Sequence, residues 1–160
     1  MTASTSDTLN LSIERIGVHD YKLVINLFNA YRVFYKQDSD LTLAENFIKQ
    51  RIINNESVIF VAMDGITPVG FTQLYPTYSS AKAVKNWILN DLYVDGKYRK
   101  HGIGRKLIMM AMDFARNNGA KYVQLETAND NYNAQHLYES TGFLRHTPGN
   151  EFIIYRKNVD

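Results

Sequence analysis

The sequence predicts a mixed α/β fold in which antiparallel hairpins flank one parallel crossover, and three observations predict it. The first is the stretch from Asn86 to Gly119, where a strand-like run, Trp87 to Val94, ends at Asp95-Gly96 and passes through a basic, glycine-containing turn into a long amphipathic helix. In that helix Ile103, Leu107, Ile108, Ala111, Met112 and Ala115 recur at helical spacing, and Gly119 stops it as a C-terminal glycine does. The second is a pair of apolar runs, Ser57 to Met63 and Val69 to Tyr75, joined through Asp64-Gly65-Ile66-Thr67-Pro68, which has the chemistry of a hairpin turn. The third is the absence of a repeat, a low-complexity linker or a composition break, so residues 11–160 are expected to form a single domain.

Taken in order, Met1 to Asn10 is polar and rich in Ser and Thr; it is expected to be a flexible leader, since it lacks the apolar centre of a signal peptide. Leu11 to Ile16 alternates like a first strand. Asp20 can cap a helix whose apolar face is Leu23, Val24, Leu27, Phe28, Tyr31 and Phe34. A second helix should begin near Thr42 and turn Leu43, Phe47 and Ile48 toward the core. After the hairpin and the central strand and helix, Tyr122 to Thr127 reads as a strand and Asn133 to Ser140 as a helix. Gly142-Phe143 and Phe152 to Tyr155 suggest a closing strand pair. The total is about six to seven strands and about four helices.

Composition narrows the function classes. A chain of 160 residues with 45% hydrophobic and 21% charged residues describes an ordinary globule able to bury one core. The formal charge of +2, with basic residues clustered locally, argues against nucleic acid as the main partner. Without cysteine, disulfides and thiol catalysis are excluded. His19, His101, His136 and His146 are scattered without metal-ligand spacing, so no metal is expected. No run approaches the roughly 20 apolar residues that span a bilayer, and a cytoplasmic protein without a membrane partner is expected.

The turn before the long helix has the makings of an anion cradle. A helix N-terminus presents unpaired N–H groups and the positive end of the dipole. Gly102 and Gly104 let an anion come close to the backbone, and Arg99, Lys100, Arg105 and Lys106 add charge. It is not a P-loop, because Gly104 is followed by Arg105 and Lys106, nor a dinucleotide fingerprint, because Leu107 stands where a third glycine is needed. On these residues alone, a solvated basic helix start whose glycines serve only the turn is the other reading.

Two motifs then resemble one family. Arg99-Lys100-His101-Gly102-Ile103-Gly104 is similar to the Arg-x-x-Gly-x-Gly pyrophosphate loop of the GNAT superfamily of acyl-CoA-dependent N-acyltransferases. Asn131 to Phe143 resembles that family's Asn-x-x-Ala, Leu-Tyr-Glu and Gly-Phe pattern, and the likeness extends from about Leu11 to Tyr155. Within the family, Asn90 to Asp95 and Tyr31 to Tyr35 most resemble small bacterial members and a fungal histone and polyamine acetyltransferase.

The resemblance implies a central mixed, mostly antiparallel sheet with a splayed parallel pair. It also implies direct transfer of the acetyl group of acetyl-CoA to a primary amine in a ternary complex. That amine could belong to a small molecule, a polyamine, an amino acid or a lysine side chain. A noncatalytic acyl-CoA-binding or regulatory module with the same fold is the alternative.

The implied cofactor contacts are the loop residues Arg99, Lys100, His101, Gly102, Ile103, Gly104 and Arg105, backbone groups of Leu92, Tyr93 and Val94 beside the splay, and Asn131, Asn133 and Tyr138. An N–H near Leu92 or Tyr93 would stabilise the oxyanion. Tyr138 would be the general acid, its other role being to pack its helix with Leu137 and Phe143; Asn131 and Asn133 could equally be helix caps. Asp91 is the preferred general base over Glu126, the alternatives being a water chain, which the family often uses instead of one fixed carboxylate, and pairing of Asp91 with a cation such as Lys85 or Arg32. Tyr31, Arg32, Tyr35 and Glu126 are the expected acceptor-site residues, although Arg32 would rather meet a carboxylate than a polyamine. Small members of the family often pair through C-terminal strands, so a homodimer through Phe152 to Tyr155 is expected.

Overall fold

In the computed structural model, which describes residues 8–146 together with Tyr155 and Lys157, the elements run β1 (Leu11–Arg15), a 3-10 turn (Tyr21–Val24), α1 (Ile25–Phe34) and α2 (Leu41–Ile53). There follow β2 (Val58–Asp64), β3 (Thr67–Ser79), β4 (Val84–Val94), a 3-10 turn (Gly96–Tyr98), α3 (Ile103–Asn117), β5 (Val123–Gln124) and α4 (Tyr132–Ser140). The described strands form one five-stranded sheet in sequence order, antiparallel from β1 to β4 and parallel between β4 and β5.

The run of β2 lacks polar alternation because both faces of the sheet are covered. Val58, Phe60 and Ala62 join Trp87 and Leu89 under Ile103, Leu107, Ile108 and Ala111 of α3. Ile59, Val61 and Met63 face the other way and pack with Phe71 against Leu27 and Phe28 of α1 and Ala44 and Ile48 of α2. The result is a layer of helix, sheet and helix, with the parallel crossover β4-α3-β5 carrying the strongest amphipathic helix.

One irregularity in β4 decides what faces where. Leu74 is opposite Leu89 and Gln73 is opposite Asp91, so Asn90 has no partner and forms a bulge. Before it Trp87 and Leu89 point into the α3 layer; after it Leu92 and Val94 do, while Asp91 and Tyr93 face α1 and α2. Unbroken alternation would have sent Asp91 into the apolar core beneath α3.

Several expectations are corrected. Five strands are found among the described residues, because Gly142-Phe143 forms a turn and a coil; the strand expected over Tyr122 to Thr127 is present but reduced to Val123–Gln124. Gly142 has φ +93°, a left-handed conformation that ends α4 and does not fit a strand. Residues 152–154 lie outside the described residues, and Tyr155 belongs to no element. Of the expected leader, only Thr8, Leu9 and Asn10 are described. Asp20 makes no side-chain cap bond, since the chain enters the helix through a 3-10 turn whose capping residue is already in a helical conformation. Phe34 and Leu43 are about half exposed rather than core residues: Phe34 ends α1, and Leu43 stands at the rim of a cavity. No helix of the described residues is long and apolar enough to cross a membrane.

Candidate active site

The parallel pair provides the first component. Trp87 pairs with Val123 and Ile88 with Gln124, and there the pairing stops while β4 continues to Val94. Asp95 N–H donates to the Val69 carbonyl at 2.9 Å, so Asp95 and, by alternation, Tyr93 direct their backbone groups toward β3. The backbone groups of Leu92 and Val94 then point to the side that β5 has left. The Val94 carbonyl accepts a bond there from Arg99 Nε at 3.2 Å.

The second component is the start of α3. Lys100 (φ +65°) and Gly102 (φ +75°) curl the backbone through left-handed conformations, and Gly102 caps the helix without a side chain. The Lys106 N–H bonds the Gly102 carbonyl (3.1 Å), and the N–H groups of Ile103, Gly104 and Arg105 ahead of it have no acceptor among the described residues. Nothing lies within 4 Å of where a Gly102 Cβ would stand, so the approach is open. Such a nest of free donors at the dipole's positive end is chemically suited to a diphosphate.

The basic side chains are partly committed elsewhere. Arg99 stacks toward the Tyr93 ring (5.9 Å) as it bonds Val94, and Arg105 Nη2 donates to the Ser140 carbonyl (3.3 Å) and hydroxyl (3.0 Å), tying α3 to the end of α4. His101 Nδ1 lies 2.9 Å from the Arg99 carbonyl and 3.2 Å from that of Tyr98, which sets its proton on Nδ1 and stiffens the loop. Gly104 has a packing role as well: a Cβ there would come within 3.2 Å of Leu137 Cδ2 on α4.

Tyr138 projects from α4 with its ring edge-on to Phe143, centroids 6.1 Å apart, against the core beneath α3. Its hydroxyl has no hydrogen-bond partner among the described residues, and burial, with a smaller contribution from the nearby Tyr35, pushes its pKa up to about 12. The packing role and an available phenol proton thus coexist. At the start of α4, Asn131 Oδ1 accepts from Ala134 N (3.3 Å), which is the cap role, whereas Asn133 is exposed.

On the opposite face of the sheet a cavity of about 300 Å³ is lined by Phe28, Tyr31, Arg32, Leu43, Phe47, Tyr75, Asn90 and Asp91. Asp91 is 2% exposed and forms neither of the ion pairs considered from sequence. Lys85 instead lies over the Tyr78 and Trp87 rings (5.8 and 4.7 Å). The carboxylate accepts from Gln73 Nε2 and from Asn90 Nδ2 (2.8 Å). The Tyr31 hydroxyl, 3.4 Å from the Asn90 carbonyl, is a third donor near it. Burial raises the Asp91 pKa, and these three donors partly oppose it. Burial, with the charge of Asp91, likewise raises the pKa values of Tyr31 and Tyr75, so both remain phenols.

Sequence reasoning missed the support behind Asp91. Gln73 is fully buried, its Oε1 accepting from Ser57 Oγ at 2.8 Å, which orients its amide with the nitrogen toward Asp91. The Asp91 carbonyl also takes a bond from Thr72 Oγ1 (2.8 Å). The available signal was a polar pair, Thr72-Gln73, inside an otherwise apolar strand. Of the expected acceptor residues, Tyr31 and Arg32 line the cavity with Asp91. Tyr35 packs against Tyr31 with the rings tilted by 58° (4.9 Å between centroids), on the way to Tyr138. Glu126 is exposed beyond the end of β5 and has no part in the cavity.

Comparison with known proteins agrees with this architecture. The family model described as "Acetyltransferase (GNAT) family" matches residues 22–143. The chain is 43% identical over 149 residues to the uncharacterized N-acetyltransferase YhfO of Bacillus subtilis (strain 168), covering 93% of this chain and 98% of that protein. A crystal structure of a probable acetyltransferase is 32% identical, with a TM-score of 0.83 over 92% of this chain and 99% of the other. An aminoglycoside N-acetyltransferase, AAC(6')-Iy, solved in complex with CoA, shares the fold at 16% identity, with a TM-score of 0.79 over 98% of this chain and 100% of its own. With the open strand edge, the helix start and the half-buried tyrosine all present in one chain, this protein belongs to the GNAT family of N-acetyltransferases.

Proposed function

We propose that the protein transfers the acetyl group of acetyl-CoA directly to a primary amine held in the cavity between α1, α2 and β4. The observation that carries the reading is the separation of β4 from β5 after Gln124, which leaves a free backbone edge between the open start of α3 and Asp91. When bound, acetyl-CoA supplies the thioester carbonyl that the amine attacks.

The donor nest at Ile103, Gly104 and Arg105 holds the diphosphate, and the backbone groups of Leu92 and Val94 hold the arm beyond it. Arg99 must release the Val94 carbonyl for this to occur. Asp91, in its ionised form, accepts a proton from the incoming ammonium, freeing the nitrogen lone pair. As the C–N bond forms and the C–S bond breaks, the Leu92 N–H donates to the carbonyl oxygen, an effect worth about 3 kcal/mol per donor in other enzymes.

Tyr138 then faces the departing sulfur. With a pKa raised to about 12, against about 8.5 for a cysteine-like thiol, it stabilises the thiolate by a hydrogen bond rather than by full proton transfer. Once bonded to the acyl carbon the nitrogen gives up a second proton, which neutralises the thiolate, and Asp91 returns the first to solvent. Homodimer formation through residues 152–155 and a cytoplasmic location belong to the same reading; sedimentation of the purified protein tests the first.

The primary experiment is a thermal-shift titration with acetyl-CoA on wild type and Gly102→Asp. A ligand that binds the folded state raises its melting temperature. A rise in wild type that is lost in the variant is expected, because the aspartate places negative charge where the diphosphate sits. No rise in either protein would remove the acetyl-CoA assignment.

A further inference from the structure

Two opposite charges line the acceptor cavity, and neither has a partner of opposite sign among the described residues. Asp91 is buried and touches only neutral donors, from Gln73, Asn90 and Tyr31. Arg32, half-buried on α1, gives one N–H of Nη1 to the Asp38 carbonyl at 3.2 Å and forms no ion pair. Of the acidic residues on α2 and the loop before it, Asp38 meets Arg32 through its backbone carbonyl and forms no ion pair with it, Asp40 caps α2 through the Leu43 N–H (2.9 Å), and Glu45 accepts from the Tyr21 hydroxyl (3.2 Å). Phe28, Tyr31, Phe47 and Tyr75 form the walls between the two charges.

A buried charge without a counterion is costly, and a ligand that supplies the counterion recovers that cost. An amine alone would satisfy Asp91 and leave Arg32 unmatched. A polyamine would bring further cations toward the guanidinium. A cavity of about 300 Å³ is at the small end of ligand sites and excludes large acceptors from full enclosure.

We infer that the acceptor is a free amino acid, its amino group held by Asp91, its own carboxylate by Arg32, and its carbon skeleton against the aromatic walls. This rests on the reading that the cavity is the acceptor site of an acetyltransferase. The remaining N–H groups of Arg32 can grip a carboxylate through two parallel bonds, which a protein-borne lysine side chain does not offer.

The test presents amino acids beside their decarboxylated amines: phenylalanine with phenethylamine, leucine with isoamylamine, lysine with cadaverine. Release of free CoA thiol measures turnover, and calorimetry on the CoA-loaded protein measures binding independently of chemistry. In wild type at least one amino acid should exceed its amine by about tenfold or more in kcat/KM, as loss of a charge-assisted pair implies. Arg32→Gln should bring that pair to within about twofold of one another, and Arg32→Lys should restore part of the difference.

Amines that match or exceed their amino acids in every wild-type pair would overturn the proposal, as would a preference that survives in Arg32→Gln. Arg32-dependent binding of an amino acid without any CoA release would support the pocket assignment while removing the transfer reading. Failure of every amino acid to bind and to turn over would overturn the proposal itself.

Discussion

The two faces of the sheet end build their halves of the site from different materials. On the α3 side the site is almost all backbone: free N–H groups of the first helical turn, the unpaired edge of β4, and a left-handed glycine at the helix start. On the α1 and α2 side it is side chains, with one buried carboxylate, one unpaired guanidinium and four aromatic rings. A backbone site offers donors that depend little on which side chains stand there. A side-chain site can change its ligand by substitution while the sheet stays as it is, so the comparison teaches that the two halves answer differently to a point substitution.

Tyr138 lies where the two halves meet, and its replacement should have the largest effect. Tyr138→Phe removes the phenol proton proposed to meet the departing sulfur while keeping the contact with Phe143. The expectation is a fall in kcat of about 100-fold with an unchanged melting temperature. A loss of stability with unaltered kcat would instead assign Tyr138 to packing alone.

Asp91→Asn comes next, with kcat/KM lowered about 30-fold at neutral pH. Only ionised Asp91 accepts a proton, so wild-type kcat/KM should fall as pH drops through its raised pKa, and the variant should lose that acid limb. Stability provides a second reading of the same group. The folded protein holds the Asp91 proton more tightly than the unfolded chain, so stability declines as pH rises from the ordinary carboxylate value of 3.8 through the raised one. Denaturant melts at several pH values should show that slope in wild type and its loss in the variant. An identical pH–rate profile would take the base role from Asp91.

The smallest effects separate the two loop glycines. Gly102→Ala forces a side chain into φ +75° and should cost about 1–2 kcal/mol in denaturant unfolding. Gly104→Ala has helical backbone and meets only the end of Leu137, so its stability change should stay below about 1 kcal/mol. Equal costs at both positions would mean that the loop conformation is not what Gly102 serves.

This division also explains how much could be read in advance. Backbone features carry local signatures: the hairpin at Asp64-Gly65, the glycines before Ile103 and the stop at Gly119 all depend on nearby residues. The parallel crossover and the glycine turn that opens α3 were legible for that reason. The acceptor side depends on placement. Nothing in Trp87 to Val94 announces a bulge, because apolar residues stand at both parities on either side of Asn90-Asp91, and so the orientation of Asp91 could be known only in the fold. The same holds for Ser57 and Gln73, sixteen residues apart in sequence and joined only across the β2-β3 hairpin. Tyr122 to Thr127 has strand chemistry throughout, yet its neighbour leaves it after two residues.

The bulge at Asn90 also acts as a parity switch. Every residue downstream of it has its sidedness set by one extra position, so deleting Asn90 would exchange Asp91 and Leu92 between layers. The carboxylate would enter the hydrocarbon interior beneath α3 and a leucine would floor the acceptor cavity. A single frame step in one strand thus separates a polar cavity from a blank wall.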